Sequence, residues 1–289
     1  MYKLQTPQYC AEESFDACTT NMSSPKKAET QPLKPDLLQA ESEYKTAALS
    51  CSLHDFPYDK MHAYSLDNDK IKELYKSYLL SKRHGRNVYT SILSQARSGF
   101  CPYCEHGQVG ELDHFLPKSE FPILSIIPLN LVPSCERCNK RKHHKRPLSA
   151  NEVFLHPYFE KTGANAWLTA NLEEFPPYIL RFTVANPGDW DDLKFQRVSY
   201  QFDTLDLQKI YGAQAAAWLD EEIYNLFELF KIDNGSSLKA HLLDILQPRQ
   251  SLSRETRFKV WQVPMWTALI NNDWFCRGGV EQVFQYFQR

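Results

Sequence analysis

The stretch that decides the fold runs from Cys101 to Pro147 and reads CPYCEHGQVGELDHFLPKSEFPILSIIPLNLVPSCERCNKRKHHKRP. It contains two Cys-x-x-Cys pairs, Cys101 with Cys104 and Cys135 with Cys138. Two thiolates separated by two residues can bind one metal ion, and two such pairs complete the closed tetrahedral site of structural zinc. The spacing therefore predicts a four-cysteine zinc knuckle.

The segment between the two cysteine pairs is longer than the roughly 15–20 residues of an ordinary zinc ribbon. Inside it, Asp113 and His114 are adjacent in a predicted strand end, and Asn139 follows the last cysteine directly. If a helix begins inside the second cysteine pair, Asn139 and His143 are four residues apart and fall on one face. These side chains could then hold a hard divalent ion with positions left open for phosphate oxygens.

A dense group of basic side chains ends the stretch. Taken alone, such a run is usually solvated surface. Beside a metal site it predicts contacts with the phosphates of a nucleic acid, which bind without reading base sequence. The predicted nucleic-acid-binding residues are Lys118, Lys140, Arg141, Lys142, Lys145 and Arg146.

The order of these features resembles a known motif. Cys-x-x-Cys, Asp-His, Asn-Leu-Val and Cys-x-x-Cys-Asn-x-x-Lys, from about Cys101 to Lys145, are similar to the HNH nuclease motif, a module of two strands and a helix around a metal ion. The resemblance implies hydrolysis of phosphodiester bonds, with the metal ion stabilising the charged transition state.

The same resemblance implies a role for each polar residue. His114 would be the general base that activates water. Asp113 and Asn139 would be ligands of a catalytic Mg²⁺ or Mn²⁺, with His143 as a candidate third. Asn130 would be structural, orienting the loop that carries His114.

A longer likeness extends beyond the motif. Leu112–Ser119, Phe121-Pro122, Asn130–Cys135 and His156–Phe159 resemble the HNH effectors of anti-phage defence systems. The Septu system and some retrons carry such a nuclease, called PtuB, beside an ABC-type ATPase, PtuA. The likeness implies a PtuA-like ATPase partner that holds the nuclease in check, and a retron RNA or DNA element as a further partner.

Two alternatives remain open. The first is a zinc knuckle that binds nucleic acid or protein without catalysis, and the second is a stand-alone restriction-type or homing HNH nuclease. A binding knuckle has no need of Asp113, His114 and Asn139 together, and neither a helix-turn-helix nor a finger array is evident. We therefore predict an HNH endonuclease that hydrolyses DNA.

The composition bounds the rest of the chain. Its 289 residues are 43% apolar, which is enough for a substantial core. The net charge of -2 excludes a protein coated in basic surface, so phosphate contacts must be local. The N-terminus lacks the apolar core of a signal peptide, and no run approaches the roughly 20 apolar residues of a membrane span. With closely spaced cysteines, this predicts a cytoplasmic protein without membrane contact.

We predict an α+β fold that is mainly helical, with a central ββα-metal module and its zinc knuckle between two helical regions. The expected segments are a flexible lead-in (residues 1–35), an N-terminal helical region (36–99), the nuclease module (100–160) and a C-terminal region that is first mixed and then helical (161–289).

Local patterns place the elements. Gly85 is predicted just past the end of a helix that starts at Asp67 or Asn68. Tyr178–Val184 and Lys194–Phe202 have the pattern of strands on either side of a turn at Asn186–Asp189. Helices are expected at Asp36–Ser50, Ala213–Ile232, Ser237–Leu246, Arg254–Asn271 and Val280–Phe287.

Overall fold

A computed structural model of the chain describes residues 1–57, 68–143, 146–163, 166–251 and 259–288. The chain forms two compact units. The first comprises Met1–Lys161 and Gln196–Leu205, and the second comprises Thr162–Phe195 and Asp206–Arg289. The described residues are mainly helical and include two small antiparallel sheets, so the predicted α+β, mainly helical class is confirmed.

The first unit contains the ββα module. Its antiparallel strands pair Asp113 with Val132 and His114 with Leu131, and the module's helix begins two residues after the second strand. The described elements of this unit are α1 (Ala11–Thr19), α2 (Ser24–Thr30), α3 (Lys34–Leu49), α4 (Asn68–Glu73) with a π-helical continuation (Leu74–Leu79), α5 (Arg83–Leu93), β1 (Glu111–His114), β2 (Leu131–Ser134) and α6 (Glu136–Lys142).

The core of the first unit is strongly aromatic. Phe15, Tyr44, Tyr103, Phe121 and Tyr158 are fully buried. Each buried ring of this size removes a large apolar area from water, and burying a Phe side chain contributes about 1.5–3 kcal/mol. The helices α1 and α3 pack together within this core, and the short β1–β2 sheet packs against α5.

The predicted flexible lead-in is instead part of this core. Phe15 and Cys18 of α1 are fully buried, and the Ser14 hydroxyl donates to the Ile126 carbonyl at 2.8 Å. Pro25, within the predicted flexible lead-in, lies in the first turn of α2, where a missing N–H costs little. The prediction of an unstructured lead-in is therefore wrong. Its weakly patterned sequence did not indicate α1, which has a buried face.

Gly85 does not end a helix. It lies inside α5, where an added Cβ would be 2.3 Å from the Tyr78 carbonyl oxygen and 2.7 Å from the Leu79 Cα. The glycine is required for close approach of α5 to the π-helical segment, and not for a left-handed backbone conformation. The prediction of a helix end at this residue is wrong for that reason.

The second unit pairs a hairpin with helices. Strand β3 packs on α10 and strand β4 on α8, around the fully buried Trp167 and Trp266. In the described part of the chain, no helix has both the length and the apolarity needed to cross a bilayer. The described elements are β3 (Leu168–Leu172), β4 (Leu180–Val184), α7 (Asp192–Thr204), α8 (Leu207–Asp233), α9 (Ser236–Ser251), α10 (Gln262–Asn271), a π-helical segment (Phe275–Gly279) and α11 (Val280–Phe287). The part of α7 from Gln196 onward belongs to the first unit.

The strand predicted at Lys194–Phe202 is helical. Its buried residues, Arg197, Val198, Gln201 and Phe202, follow the spacing of one helix face. The turn at residues 186–189 is present but joins β4 to α7, and the partner of β4 is β3, which the sequence patterns did not predict. Residues 254–258 of the helix expected at Arg254–Asn271 lie outside the described residues.

Candidate active site

The four predicted zinc ligands meet in space. The sulfur atoms of Cys101, Cys104, Cys135 and Cys138 all lie within 4.8 Å of one another and all four residues are buried. The Cys104 and Cys135 sulfurs are 3.9 Å apart. Zn–S bonds of about 2.3 Å in a tetrahedron place sulfurs about 3.8 Å apart. The four thiols therefore fit a closed zinc site.

The backbone of the first cysteine pair folds around this site. The Cys101 N–H donates to the Gly107 carbonyl at 2.9 Å, and the Gly107 N–H donates to the Cys104 sulfur at 3.3 Å. A Cβ on residue 107 would lie 2.6 Å from the Cys135 sulfur, so glycine is the residue that fits. Because Cys135 lies between β2 and α6, a zinc ion bound by the four thiols would fasten the start of the module to its helix.

Asp113 of β1 is buried and held by Tyr103. The Tyr103 hydroxyl donates to Oδ2 of Asp113 at 2.8 Å. Burial, and then the charge of Asp113, raises the pKa of Tyr103 well above its ordinary value, so the phenol keeps its proton. Tyr103 was not among the site residues predicted from sequence. The available signal was its position between Cys101 and Cys104, which fixes it close to the metal site.

Lys142 is the second partner of Asp113. Its ammonium lies 3.1 Å from Oδ2 and 3.3 Å from Oδ1, and it donates to the His114 carbonyl at 2.8 Å. Carboxylate and carbonyl oxygens are the ligands that hard divalent cations take. The ammonium is thus a stand-in cation, and the oxygens that surround it fit Mg²⁺ or Mn²⁺.

The His114 ring is fixed by a backbone carbonyl. Its Nε2 lies 3.0 Å from the Ser125 carbonyl oxygen, and the Tyr75 ring meets the imidazole edge-on at 4.7 Å between centroids. Because a carbonyl oxygen can only accept, Nε2 carries the hydrogen. In the neutral ring, Nδ1 is therefore the nitrogen that can accept a proton.

Asn130 holds the loop that follows β1. Its side chain is fully buried; Oδ1 accepts from the Leu116 N–H at 2.7 Å, and Nδ2 donates to the carbonyls of Leu116 (3.0 Å) and Leu124 (3.2 Å). Its own carbonyl accepts from the Phe115 N–H at 2.8 Å. These bonds engage the amide inside the protein, which is what the expected structural role requires.

His156 stiffens the other side of this loop. Its ring stacks on Phe115 with 4.1 Å between centroids, and its Nε2 lies 2.9 Å from the Tyr44 hydroxyl. Burial, followed by the positive charges of Lys142 and Arg197, lowers the pKa of His156 to about 3. The residue is therefore a neutral packing element beside the site.

Helix α6 carries Asn139, and His143 follows directly after its last residue. Asn139 is half-buried and precedes Lys142 by three residues, so it shares the face that reaches Asp113. The helix ends at Lys142, and the chain turns at His143 with φ 60° and ψ -170°. The His143 N–H still donates to the Asn139 carbonyl at 3.1 Å, and the role of His143 as an ion ligand stays a prediction.

A cavity of about 240 Å³ lies along the basic end of the module. Arg141, Lys142, His143 and Arg146 all line it. The three cationic side chains among them, Arg141, Lys142 and Arg146, make this cavity suited to an anion. Its further lining residues are Phe115, Pro147, Glu152, Val153, Phe154, Tyr200 and Thr204.

Arg197 fixes one part of that lining. Its guanidinium makes two bonds of 2.7 Å to the Glu160 carboxylate and donates to the carbonyls of Val153 (2.8 Å) and Phe154 (2.9 Å). The Phe154 and Tyr200 rings meet edge-on at 5.9 Å. This arrangement was not predicted from sequence, because the residues around Arg197 have a pattern that indicates a strand.

Two of the remaining predicted basic residues, Lys118 and Lys140, do not line this cavity. Lys140 is exposed and forms an ion pair with Glu136 on the same helix. Lys118 lies over the Tyr75 ring, 4.4 Å from its centroid, and burial lowers the pKa of its ammonium. Lys145 lies outside the described residues.

Comparison with known proteins assigns the module to a family. Residues 101–145 match the family model described as HNH endonuclease. The chain carries an HNH endonuclease domain. The predicted enzyme class, a nuclease that hydrolyses phosphodiester bonds, is thereby confirmed. No solved structure matches the chain.

Two curated relatives extend beyond the family model in different ways. The protein ea31 of Escherichia phage lambda is 28% identical over 267 residues, which covers 84% of this chain and 88% of ea31. The Septu protein PtuB of Bacillus thuringiensis is 45% identical over 63 residues, which covers 20% of this chain and 24% of PtuB. The predicted likeness to PtuB-type HNH proteins is thus confirmed, over a short stretch.

Proposed function

We propose that this protein is a Mg²⁺- or Mn²⁺-dependent HNH endonuclease that cuts DNA as the effector of an anti-phage defence system. The observation that carries the proposal is the arrangement at the end of β1. There the His114 ring is oriented by the contact of Nε2 with the Ser125 carbonyl, and the adjacent Asp113 carboxylate pairs with the Lys142 ammonium. A base and a cation-binding carboxylate side by side are the elements of metal-assisted hydrolysis.

The proposed chemistry assigns one task to each residue. Nδ1 of His114 accepts a proton from water as the water oxygen bonds to phosphorus, one P–O ester bond breaks, and the leaving oxygen takes a proton from solvent. A positioned base contributes about 10²–10⁴ in rate. Asp113 and Asn139 would hold the divalent ion, which supplies stabilisation of charge in the transition state. Tyr103 orients Asp113, and Asn130 holds the loop after β1.

The proposed substrate follows from the charge near the site. The cavity lined by Arg141, Lys142, His143 and Arg146 can bind phosphate groups of a strand whose scissile bond lies at His114. The chain as a whole has a net charge of -2, so this local patch would supply most of the attraction. Contacts of this kind bind DNA but select no sequence.

The proposed setting rests on the relative named a Septu protein. A PtuA-like ABC-type ATPase would be the partner, with a retron RNA or DNA element as a further partner. The proposed compartment is the cytoplasm, because closely spaced cysteines bind zinc where thiols stay reduced. A nuclease that needs no ATPase is the second candidate. It is favoured by the extent of the two similarities, 84% of this chain to ea31 against 20% to PtuB.

The test is cleavage of plasmid DNA, single-stranded DNA and RNA with Mg²⁺ or Mn²⁺, with and without a PtuA-like ATPase. His114→Ala should lower the rate about 10²–10⁴-fold, as loss of a positioned base does, and keep its zinc. The control is His84→Ala, which alters an exposed histidine on α5 and should cut at the wild-type rate. Unchanged cleavage by His114→Ala would refute the mechanism. Cleavage of RNA alone would refute the substrate, and full activity without the ATPase would favour the second candidate.

A further inference from the structure

We infer that Lys142 and the divalent ion compete for the same place. The Lys142 ammonium occupies the cation position at Asp113 until the ion arrives, and the displaced side chain then turns into the basic cavity and meets substrate phosphate. The inference rests on the proposed nuclease function, since it assumes that Asp113 is an ion ligand. It assigns Lys142 a role in metal loading that a phosphate contact alone would not have.

The contacts of Lys142 define the competition. Its ammonium is within 3.3 Å of both Asp113 carboxylate oxygens and donates to the His114 carbonyl at 2.8 Å. Its side chain is only 8% exposed, so water does little to screen these contacts. A divalent ion bound to the same carboxylate would place a second positive charge at ion-pair distance from the ammonium. Both cations therefore cannot occupy the site together.

The geometry also provides a second position for the ammonium. Lys142 is the last residue of α6, and it lines the cavity together with Arg141, His143 and Arg146. A lysine side chain has four rotatable methylene bonds, so its charge can move without a change in the helix. The ammonium already lies 5.7 Å from the centre of the Phe115 ring, which also lines the cavity. Filling the cavity with phosphate would stabilise the displaced position.

A permanent structural ion pair is the competing explanation, and it predicts different results. In that case Asp113 never binds an ion, and removing Lys142 leaves a buried carboxylate without its cation. Lys140→Met provides a matched comparison, because this substitution removes the same charge from the same helix. Its ammonium is exposed and pairs with Glu136, so it does not occupy the place of an ion at Asp113.

The first experiment measures ion binding without nucleic acid. Zinc-loaded full-length protein is titrated with Mn²⁺, and free Mn²⁺ is followed by electron paramagnetic resonance. Lys142→Met should bind Mn²⁺ about 10-fold more tightly or better, since a charge-assisted contact no longer has to be broken. Lys140→Met should stay within about 2-fold of the wild type, as surface charges are screened by salt. Equal or weaker binding by Lys142→Met, or equal tightening in both variants, would overturn the inference.

The second experiment uses the unaltered protein, so it stands even if Lys142→Met fails to fold. Lysines are reductively methylated with and without Mn²⁺, and peptides are quantified by mass spectrometry. Mn²⁺ should increase labelling of Lys142 several-fold and leave Lys140 unchanged. Constant labelling of Lys142 in the presence of bound Mn²⁺ would refute the inferred competition but would not affect the nuclease proposal. If neither the wild type nor Lys142→Met binds Mn²⁺, the proposed ion site is refuted as well.

Discussion

Tyr103 shows how the centre depends on single side chains that position others. Its hydroxyl is fully buried and bonded to Asp113 from one side, while the Lys142 ammonium approaches from another. A carboxylate held at both oxygens cannot rotate away from the site. Preorganisation of this kind reduces the cost of orienting a ligand when an ion or a substrate binds.

Tyr103→Phe tests this at the scale of one hydroxyl. The variant should keep its zinc and its core packing, since the ring remains. It should require more Mn²⁺ for half-maximal cleavage and lose about 10- to 100-fold in rate at low Mn²⁺, because a hydrogen bond to a charged group is worth about 1.5–3 kcal/mol. The measurement is cleavage of plasmid DNA as a function of Mn²⁺ concentration.

Tyr158→Phe is the control for Tyr103→Phe. It removes another buried phenol hydroxyl, but that one donates to the Leu131 carbonyl at 2.6 Å and touches no carboxylate. It should lose stability of about 1 kcal/mol and keep the Mn²⁺ dependence of the wild type. A shift of equal size in both variants would mean that Tyr103 acts through general stability.

Among single residues, the adjacent pair Asp113 and His114 could be recognised from the chain alone. Their neighbours could not, because Lys142 lies 29 positions away from Asp113 and Tyr103 lies 10 positions away. Sequence spacing predicts contacts only along one strand or helix. Contacts between a carboxylate on β1, a phenol in the first cysteine pair and an ammonium on α6 depend on how those elements pack.

At the scale of elements, the zinc knuckle and the ββα module are structurally connected. The two cysteine pairs bring the segment before β1 to the start of α6, so a metal ion held by the four thiols would set the position of the helix relative to the strands. The residue that allows this closure is Gly107, whose Cα faces the Cys135 sulfur. A structural zinc site of this type contributes folding free energy directly.

Gly107→Ala should therefore impair the metal site. The added Cβ would lie 2.6 Å from the Cys135 sulfur and 2.8 Å from its Cβ, so the cysteine must shift. The zinc content of the purified protein, measured by plasma mass spectrometry, should fall below one equivalent, and cleavage should fall with it. The control is Gly110→Ala, where a Cβ meets nothing within 4 Å and full zinc is expected. Full zinc occupancy in Gly107→Ala would show that the knuckle tolerates the extra atom.

Element boundaries were less predictable than element types. The two strands and the helix of the module follow from their patterns, but the end of α6 does not. The chain leaves the helix at His143 with a positive φ, which no residue type in the run Lys140–Lys145 demands. Helix α7 was also not predicted. Its buried face includes the polar residues Arg197 and Gln201, so the sequence resembles the alternating polar and apolar pattern of a strand.

At the scale of the whole molecule, the first unit is discontinuous in sequence. Residues 1–161 are completed by residues 196–205, which bring Arg197 to Glu160 and Tyr200 to Phe154. The basic cavity thus depends on a segment far from residues 101–145 of the HNH domain. A fragment cut after the domain would lack that segment.

Arg197→Met should destabilise the first unit by about 3–5 kcal/mol, because removing one partner of a buried ion pair leaves the other charge without compensation. Hydrogen exchange should become about 10²- to 4 × 10³-fold faster in peptides from β1 and β2, since each 1.4 kcal/mol is a factor of ten. Arg181→Met is the control, because its pair with Glu173 is largely exposed and should leave exchange unchanged. Unaltered protection in Arg197→Met would show that residues 196–205 are dispensable.

The sequence by itself determined the enzyme class and the residues proposed for its chemistry. The two Cys-x-x-Cys pairs, the Asp113-His114 dyad and Asn139 are local patterns, and local patterns are sufficient to propose ligands and a base. The helical class also followed from local periodicity. Only the tertiary structure decided that the first 35 residues include helices with buried residues, that Lys142 binds Asp113, and that α7 lines the basic cavity. Those features come from burial and from contacts between distant segments, which are set by the packing of the whole chain and leave no signature in the spacing of neighbouring residues.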